Sequence, residues 1–364
     1  MPLRTLILGG TGNFGARIVR ALSKDPQFEL IAAARHAKPI SAAPAVPTVP
    51  LDIQHGDLEA RFRALAPQLV VHTVGPFQDQ DYRVVRAALA AGAHYIDLAD
   101  GRRFVADFVR DNDVLARVAD KSAICGASTL PALSGAVVDE LQRGLDPLES
   151  IDIAIAPGQR AARGAATFAG VFSYLGQPIA VWQRGRWCRR YGWMDLARVP
   201  LQIGDRLGAL CDVPDLELLP HRYAGVKDVV FRAALEFRVQ HYALFALSLL
   251  RRFGVPLSLD RWAVRLDASA AWFDRFAGEF GAMRVSVVGA VQNRRVRRTW
   301  ELKVPARDGP EIPCLAALLL ARRLTGGMPW SAGAYTALGQ LKLDEFAESF
   351  SQLNVATVMT EENL

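Results

Sequence analysis

The chain has 364 residues, 51% of them hydrophobic and 22% charged, with 43 Lys and Arg against 37 Asp and Glu. That length and apolar fraction exclude a disordered chain and suggest two domains, each large enough to bury a core. Four scattered cysteines (Cys125, Cys188, Cys211, Cys314), with no C-x-x-C and no clustered histidines, argue against a disulfide scaffold or a metal site and for a reducing compartment. Met1-Pro2-Leu3-Arg4 leads directly into a strand-like Thr5–Leu8 without the apolar core of a signal peptide, so a cytoplasmic start is expected.

Taken in order, Leu6–Gly9, Phe28–Ala34, Val46–Leu51, Leu69–Val74, His94–Leu98 and Ala123–Ala127 read as strands, mostly without polar alternation, as in strands buried on both faces. Between them, Asn13–Leu22, Leu58–Leu65, Tyr82–Ala91 and Phe104–Ala119 carry apolar residues at helical spacing. The alternation predicts a Rossmann-type doubly wound parallel sheet. Beyond residue 150 the pattern changes. Ile151–Ala156 alternates as a half-exposed strand, Ile179–Gln183 and Trp187–Tyr191 flank an expected turn at Arg184-Gly185-Arg186, and Met283–Val288 is expected to pair with Arg295–Val304 across a turn near Gln292-Asn293. Helical stretches fall at Ala166–Leu175, Ala243–Phe253, Leu315–Leu324 and Leu343–Phe350. The net charge is −1 up to residue 150 and +7 beyond it, and all seven Trp lie in the second part. These contrasts predict a boundary near residue 150 and a second, α+β domain with a mixed or antiparallel sheet, serving substrate binding or a homodimer.

The apolar run Tyr242–Leu250 is about half of the roughly 20 residues a spanning helix needs, so no transmembrane segment is expected and a buried helix is the preferred reading. The basic run Arg294–Arg298 would split across two faces of a strand, which points to a charged sheet edge rather than to nucleic acid.

Gly9-Gly10-Thr11-Gly12-Asn13-Phe14-Gly15 follows the first strand and opens the first helix. Early glycines permit the tight turn and let backbone N–H groups approach a pyrophosphate, while the last lets helix and strand pack closely. Twenty residues beyond Gly15, where an NAD enzyme would place a carboxylate against the ribose, stands Arg35, followed by His36 and Lys38. A guanidinium can bind a 2′-phosphate that a carboxylate would repel, so NADP(H) is favoured over NAD(H). Thr73, Gly75 and Pro76 follow the fourth strand and join the expected cofactor site at the carboxyl edge of the sheet. Tyr95, Asp97 and Asp100 end the fifth strand, and Ser128, Thr129 and Pro131 follow the sixth. Tyr95 and Asp97 share one strand face and are the expected acid/base pair. Thr129 and Arg163 are expected to contact substrate, Arg163 as a clamp for an acidic one, in keeping with the +7 of that half; Arg160 is a second such cation. Cys125, within an apolar strand, is better read as a buried small residue than as a nucleophile.

Together Gly9–Gly15, Arg35, Gly75-Pro76-Phe77, His94-Tyr95-Ile96-Asp97-Leu98 and Gly126–Pro131 resemble the saccharopine dehydrogenase-like family of NADP-dependent oxidoreductases, as do Arg163–Thr167, Phe231–Glu236 and Gly309–Pro313. The resemblance implies an NAD(P)-binding Rossmann domain over 1–150, a mixed α/β domain over 151–313, and a C-terminal helical segment, 314–364, that folds back toward the first domain. The family places an acidic residue after a glycine just beyond the Tyr-x-Asp strand, and Asp100-Gly101 reverses that order here. Two readings of function stand: an oxidoreductase moving hydride between NADP(H) and a small carbonyl, imine or unsaturated substrate, or a catalytically inactive NADP(H)-binding sensor or interaction protein.

Overall fold

A computed structural model describes residues 1–162, 165–255, 273–326 and 331–364, with the backbone alone for 165–168. The chain divides into two compact units, Met1–Leu133 with Glu311–Leu341, and Ser134–Pro310 with Lys342–Leu364.

Met1–Leu133 alternates strand and helix: β1 (Leu3–Leu8), α1 (Gly15–Leu22), β2 (Phe28–Ala34), β3 (Thr48–Pro50), α2 (Leu58–Leu65), β4 (Leu69–His72), α3 (Arg83–Ala90), β5 (His94–Asp97), α4 (Arg102–Val118) and β6 (Ser122–Cys125). These six strands pair in parallel in the order β6-β5-β4-β1-β2-β3, the doubly wound arrangement whose strand order reverses between β1 and β4. Leu6, Ile7, Leu8, Leu69, Val70 and Val71 are all fully buried, which accounts for strands without polar alternation.

The second unit begins earlier than residue 150. Its elements are α5 (Ser134–Leu141), β7 (Leu148–Ala156), α6 (Ala165–Tyr174), β8 (Pro178–Gln183), β9 (Arg186–Tyr191), β10 (Ala197–Val199), β11 (Arg206–Leu210), α7 (Asp215–Arg222), β12 (Asp228–Ala233), α8 (Arg238–Arg252), β13 (Phe280–Val291) and β14 (Arg294–Pro305). Helix α5 packs on β13 and β14, burying Ala136, Val137, Val138 and Leu141; this long-range contact, invisible to composition, carries the boundary back to 133/134.

The chain then supplies α9 (Ile312–Thr325) and β15 (Gly333–Thr336), followed by α10 (Ala347–Gln352) and β16 (Ala356–Asn363). The C-terminal segment is therefore helical only in part, and it serves both units. Strand β15 pairs in parallel with β6 as the seventh strand of the first sheet, and Glu311 at the head of α9 forms ion pairs with Arg17 and Arg20 of α1. Residues 342–364 belong to the second unit.

The second sheet has nine strands in the order β10-β11-β12-β7-β13-β14-β16, with β8 on β12 and β9 on β8. It is mixed: β12 and β7 run parallel, and the other pairs are antiparallel. Both predicted hairpins form, through two-residue turns in which each residue has a positive φ, Arg184-Gly185 (52°, 70°) and Gln292-Asn293 (48°, 65°), the geometry that matches strand twist.

Two expectations change here. The basic run is not an edge, because β16 covers β14: Arg297 and Arg298 pair with Glu362 and Glu361, and Arg295 with Glu149. The apolar run 242–250 is not a buried helix. Within α8 His241 and Ser248 are buried, Leu244, Phe245, Leu247 and Leu249 are half-buried, and Tyr242, Ala243, Ala246 and Leu250 are exposed. No described helix is long and apolar enough to cross a membrane.

Candidate functional site

The carboxyl ends of β1 and β4, on either side of the strand-order reversal, carry the two loops expected to hold the cofactor. Leaving β1, Gly9 turns at φ 76° and its N–H and that of Gly10 bond to Ala33 O at the end of β2 (2.8 and 3.1 Å). Gly12 N–H closes the turn on Gly9 O at 2.8 Å. At Gly15 a Cβ would stand 2.1 Å from Gly9 O and 2.8 Å from Thr73 Oγ1, so only glycine lets α1 start against the turn and the β4 loop. Gly12 differs: a Cβ there would meet nothing nearer than Gly9 O at 3.1 Å. Its outer side is open to a ligand.

Phe14 occupies the N-cap of α1 and makes no side-chain hydrogen bond to it. Two first-turn amides are engaged within the turn, Ala16 N–H on Gly12 O (3.0 Å) and Arg17 N–H on Phe14 O (3.1 Å), and no Phe14 side-chain oxygen competes with a ligand for the positive end of the helix. The turn fits a pyrophosphate in shape and in charge. Thr11 and Asn13 lie on the same turn.

Thr73 anchors the second loop to the first strand, its N–H and its Oγ1 both bonding to Leu8 O (3.1 and 2.8 Å). Val74 through the cis Gly75-Pro76 bond is then held by a pair of side chains that sequence reasoning missed. Buried His72 accepts the Val74 N–H at Nδ1 (3.3 Å), which leaves Nε2–H to donate to Gln80 Oε1 (3.1 Å). Gln80 Nε2 donates in turn to the carbonyls of Val74 (2.6 Å) and Pro76 (2.8 Å). Burial pushes the His72 ring down to about 4, so it stays neutral. Nothing but two spaced polar residues marks this clamp in the sequence.

Arg35, one residue past β2, is exposed at the same sheet edge. Asp52, just past the neighbouring β3, is within electrostatic reach of it; its carboxyl is lowered first by the Gln54 N–H, then by His55, and to a smaller degree by Arg35. A cation and a carboxylate therefore stand together where a dinucleotide's ribose is read. Asp52 was not expected, because the β3 carboxyl end has no motif.

Tyr95 and Asp97 do share one face of β5, but that face is interior. Tyr95 is 1% exposed, stacked on Phe108 of α4 at 6.1 Å and tilted against His72. Asp97 is fully buried, and its Oδ1 accepts from Ala99 N–H (3.0 Å) and Gly126 N–H (2.7 Å), tying the end of β5 to the end of β6. Burial raises its carboxyl to about 6 and holds the Tyr95 hydroxyl well above its ordinary range, with the Asp97 charge second. Among the described residues the buried Tyr95 hydroxyl and Asp97 Oδ2 have no hydrogen-bond partner. Cys125 is buried beside them, its thiol pushed far up by burial, which suits a packing residue. A wall-lining acid/base pair is thus not what this packing presents; the carboxylate holds two strand ends in place.

Thr129 is half-buried in the turn Thr129–Leu133 after β6, against which α9 packs. Asp100 accepts a bond from Gln78 (3.4 Å), and Gly101 explains the reversed order: as N-cap of α4 it lies where a Cβ would be 2.9 Å from the Phe77 backbone. Arg163 lies outside the described residues. Arg160 donates to the Asp274 carbonyl at 2.8 Å. Among the described residues no group of His, Cys, Asp and Glu is arranged to hold a metal ion.

Residues 5–138 match the family described as Saccharopine dehydrogenase NADP binding domain. No curated protein sequence matches the chain. Among solved structures, the apo saccharopine dehydrogenase (L-Glu forming) of Saccharomyces cerevisiae superposes with a TM-score of 0.69 at 10% identity over 100% of both chains. Homospermidine synthase of Legionella pneumophila, in complex with NAD, gives 0.64 at 12% over 99% of this chain and 92% of its own. DAP dehydrogenase of C. glutamicum, in complex with DAP, gives 0.51 at 15% over 95% and 98%. At such identities the structures establish the fold alone. Residues 5–138 thus match the Saccharopine dehydrogenase NADP binding domain family, and the chain as a whole has the fold of the saccharopine dehydrogenase structure.

Proposed function

We propose that the chain is an oxidoreductase that prefers NADP(H) over NAD(H) and moves hydride to or from a small carbonyl, imine or unsaturated substrate. The observation that carries the reading is the uncapped glycine turn at the strand-order reversal, with Arg35 at the adjoining β2 end. The backbone of Gly9–Gly15 holds the pyrophosphate, Arg35 pairs with the 2′-phosphate through its planar fork, and the Thr73–Pro76 loop, clamped by His72 and Gln80, borders the dinucleotide. Bound NADPH supplies the hydride. Asp97 positions the β5 and β6 ends through its bonds to Ala99 and Gly126, while Thr129 and Arg163 contact substrate.

The test is NADPH consumption against oxoacid–amine mixtures, carbonyls and enoyl esters, with turnover expected for at least one class. The burial of both Tyr95 and Asp97 favours the second reading, a cofactor-binding sensor without turnover. Tight NADPH binding with no consumption across the panel would select it.

A further inference from the structure

The end of β9 and the C-terminal end of α8 meet in a pocket of about 420 Å³ lined by Arg189, Arg190 and Arg252 with Gln183, Tyr191 and Asp195. Three guanidiniums there face one carboxylate. Arg190 is accounted for: its Nη2 donates to Gln183 Oε1 (2.5 Å) and its Nε stands 3.4 Å from Asp195. Arg189 and Arg252 are not. Their guanidiniums stack on the Tyr191 ring, 5.4 and 4.1 Å from its centroid, and among the described residues neither makes an ion pair or a side-chain hydrogen bond. One ring thus gathers two cations from different elements, no more than about 10 Å apart, and leaves their N–H donors for a ligand.

The walls are fixed before a ligand arrives. The Arg251 guanidinium donates to the carbonyls of Phe172 (2.6 Å), Ser173 (3.3 Å) and Leu175 (3.0 Å) at the end of α6, which pins the last turn of α8 and with it Arg252. A Cβ on Gly176 would overlap Ser248 O, and one on Gly192 would overlap Tyr174 O, so α8 and the end of β9 both close on the α6–β8 turn. Past β9 the chain bends through Trp193 (φ 58°) and Asp195 (φ 53°), a left-handed conformation that is an outlier for so bulky a side chain as Trp. Asp195 brings this bend into the pocket wall. Strained backbone of this kind persists where its surroundings over-determine it, and it concentrates at ligand clamps.

We propose that the Arg189/Arg252 pocket binds a phosphate-bearing small molecule, whose phosphate or diphosphate group bridges the two guanidiniums beside Tyr191. Each planar fork pairs bidentately with phosphate oxygens, and a diphosphate spreads enough oxygens to engage both forks at once. A cavity of this volume falls within the roughly 300–1,000 Å³ of small-molecule sites. Its residues all belong to the second unit, whereas the glycine turn and Arg35 belong to the first, so this site is additional to the cofactor site and does not depend on the oxidoreductase reading.

The test is calorimetric titration of the full-length chain with inorganic pyrophosphate and with inorganic phosphate, at low salt. Because the glycine turn is a second place for pyrophosphate, each titration is run in wild type and in Gly12→Asp. Pyrophosphate should bind both with a Kd below about 1 mM, and phosphate more weakly. In either background Arg189→Gln and Arg252→Gln should each weaken the pocket's binding by at least about fivefold. Arg186→Gln removes an exposed arginine of the same hairpin that lies outside the pocket and should change nothing. Asp195→Asn removes the pocket's carboxylate at a φ that Asn tolerates and should tighten binding, a gain that misfolding cannot mimic. Every variant should keep the wild-type unfolding transition by circular dichroism. Wild type that binds neither anion overturns the proposal. So does binding indifferent to Arg189→Gln and Arg252→Gln, which would leave the glycine turn as the site, or binding that Arg186→Gln weakens equally, which would make it the work of diffuse surface charge.

Discussion

Gly12 and Gly15 occupy one turn yet have different jobs, and substitutions should separate them. Gly12→Asp places its carboxylate in open space where a pyrophosphate would sit, so the fold should survive while NADPH affinity falls by at least about 100-fold. Gly15→Ala forces backbone apart at 2.1 Å and should lower stability by more than ~2 kcal/mol in denaturant unfolding. Equal effects of the two on stability would contradict this division. A second residue-scale outcome concerns Asp215, buried at the start of α7, whose Oδ1 accepts the Ser134 hydroxyl and whose Oδ2 has no partner among the described residues. Burial raises its carboxyl from an ordinary 3.8 to about 7. Between those values the native state binds more protons than the unfolded chain, so this group's contribution to stability falls as pH rises. Asp215→Asn, which cannot titrate and keeps an acceptor for Ser134, should gain on wild type from pH 4 to pH 7, by roughly 1–4 kcal/mol at ~1.4 per unit. A gap constant across that range would show that the carboxyl is not held neutral. At this scale the glycine turn, and the place of Arg35 one residue past β2, were legible because both follow from the strand–turn–helix pattern of one supersecondary unit. The His72–Gln80 clamp was not, because it depends on how residues 72–80 fold back on themselves, and Asp52 was not, because Arg35 reaches it from the neighbouring strand.

At the scale of elements, strand and helix types in the first unit follow from hydrophobic periodicity, and both hairpins of the second follow from their turn residues. What periodicity could not give was how far an apolar helix would be covered: in α8 the apolar run was readable and its partial exposure was not, because that depends on what packs behind His241 and Ser248. Likewise Tyr95 and Asp97 were correctly set on one face of β5, but whether that face meets a crevice or α4 is a tertiary fact. The β4 loop supplies a test of its own. Gln80→Ala leaves the buried His72 Nε2–H and two loop carbonyls without their partner, which should cost ~2–3 kcal/mol of stability. If the loop borders the dinucleotide, NADPH affinity should fall several-fold as well, as read by a fluorescence titration under conditions where the variant stays folded. Unchanged affinity would remove the loop from the site.

At the scale of the molecule, the first unit is discontinuous in sequence, and that was only partly legible: the resemblance implied a returning segment, but not that it supplies a strand. Residues 1–133 alone would expose the β6 edge that β15 pairs and leave α4 without its packing on β15. A fragment covering 1–133 should therefore lack a cooperative unfolding transition, and linking it to 311–341 should restore one by circular dichroism. Cooperative folding of 1–133 by itself would show that the return is dispensable.

The central claim, a phosphate-reading Arg35 beside an uncapped glycine turn, is tested most directly by titrating wild type and Arg35→Asp with NADPH and NADH. Wild type should bind NADPH at least about tenfold more tightly than NADH, and the variant should lose or invert that ratio. Wild type that binds NADH equally or better, or a ratio unmoved by the substitution, would contradict the account.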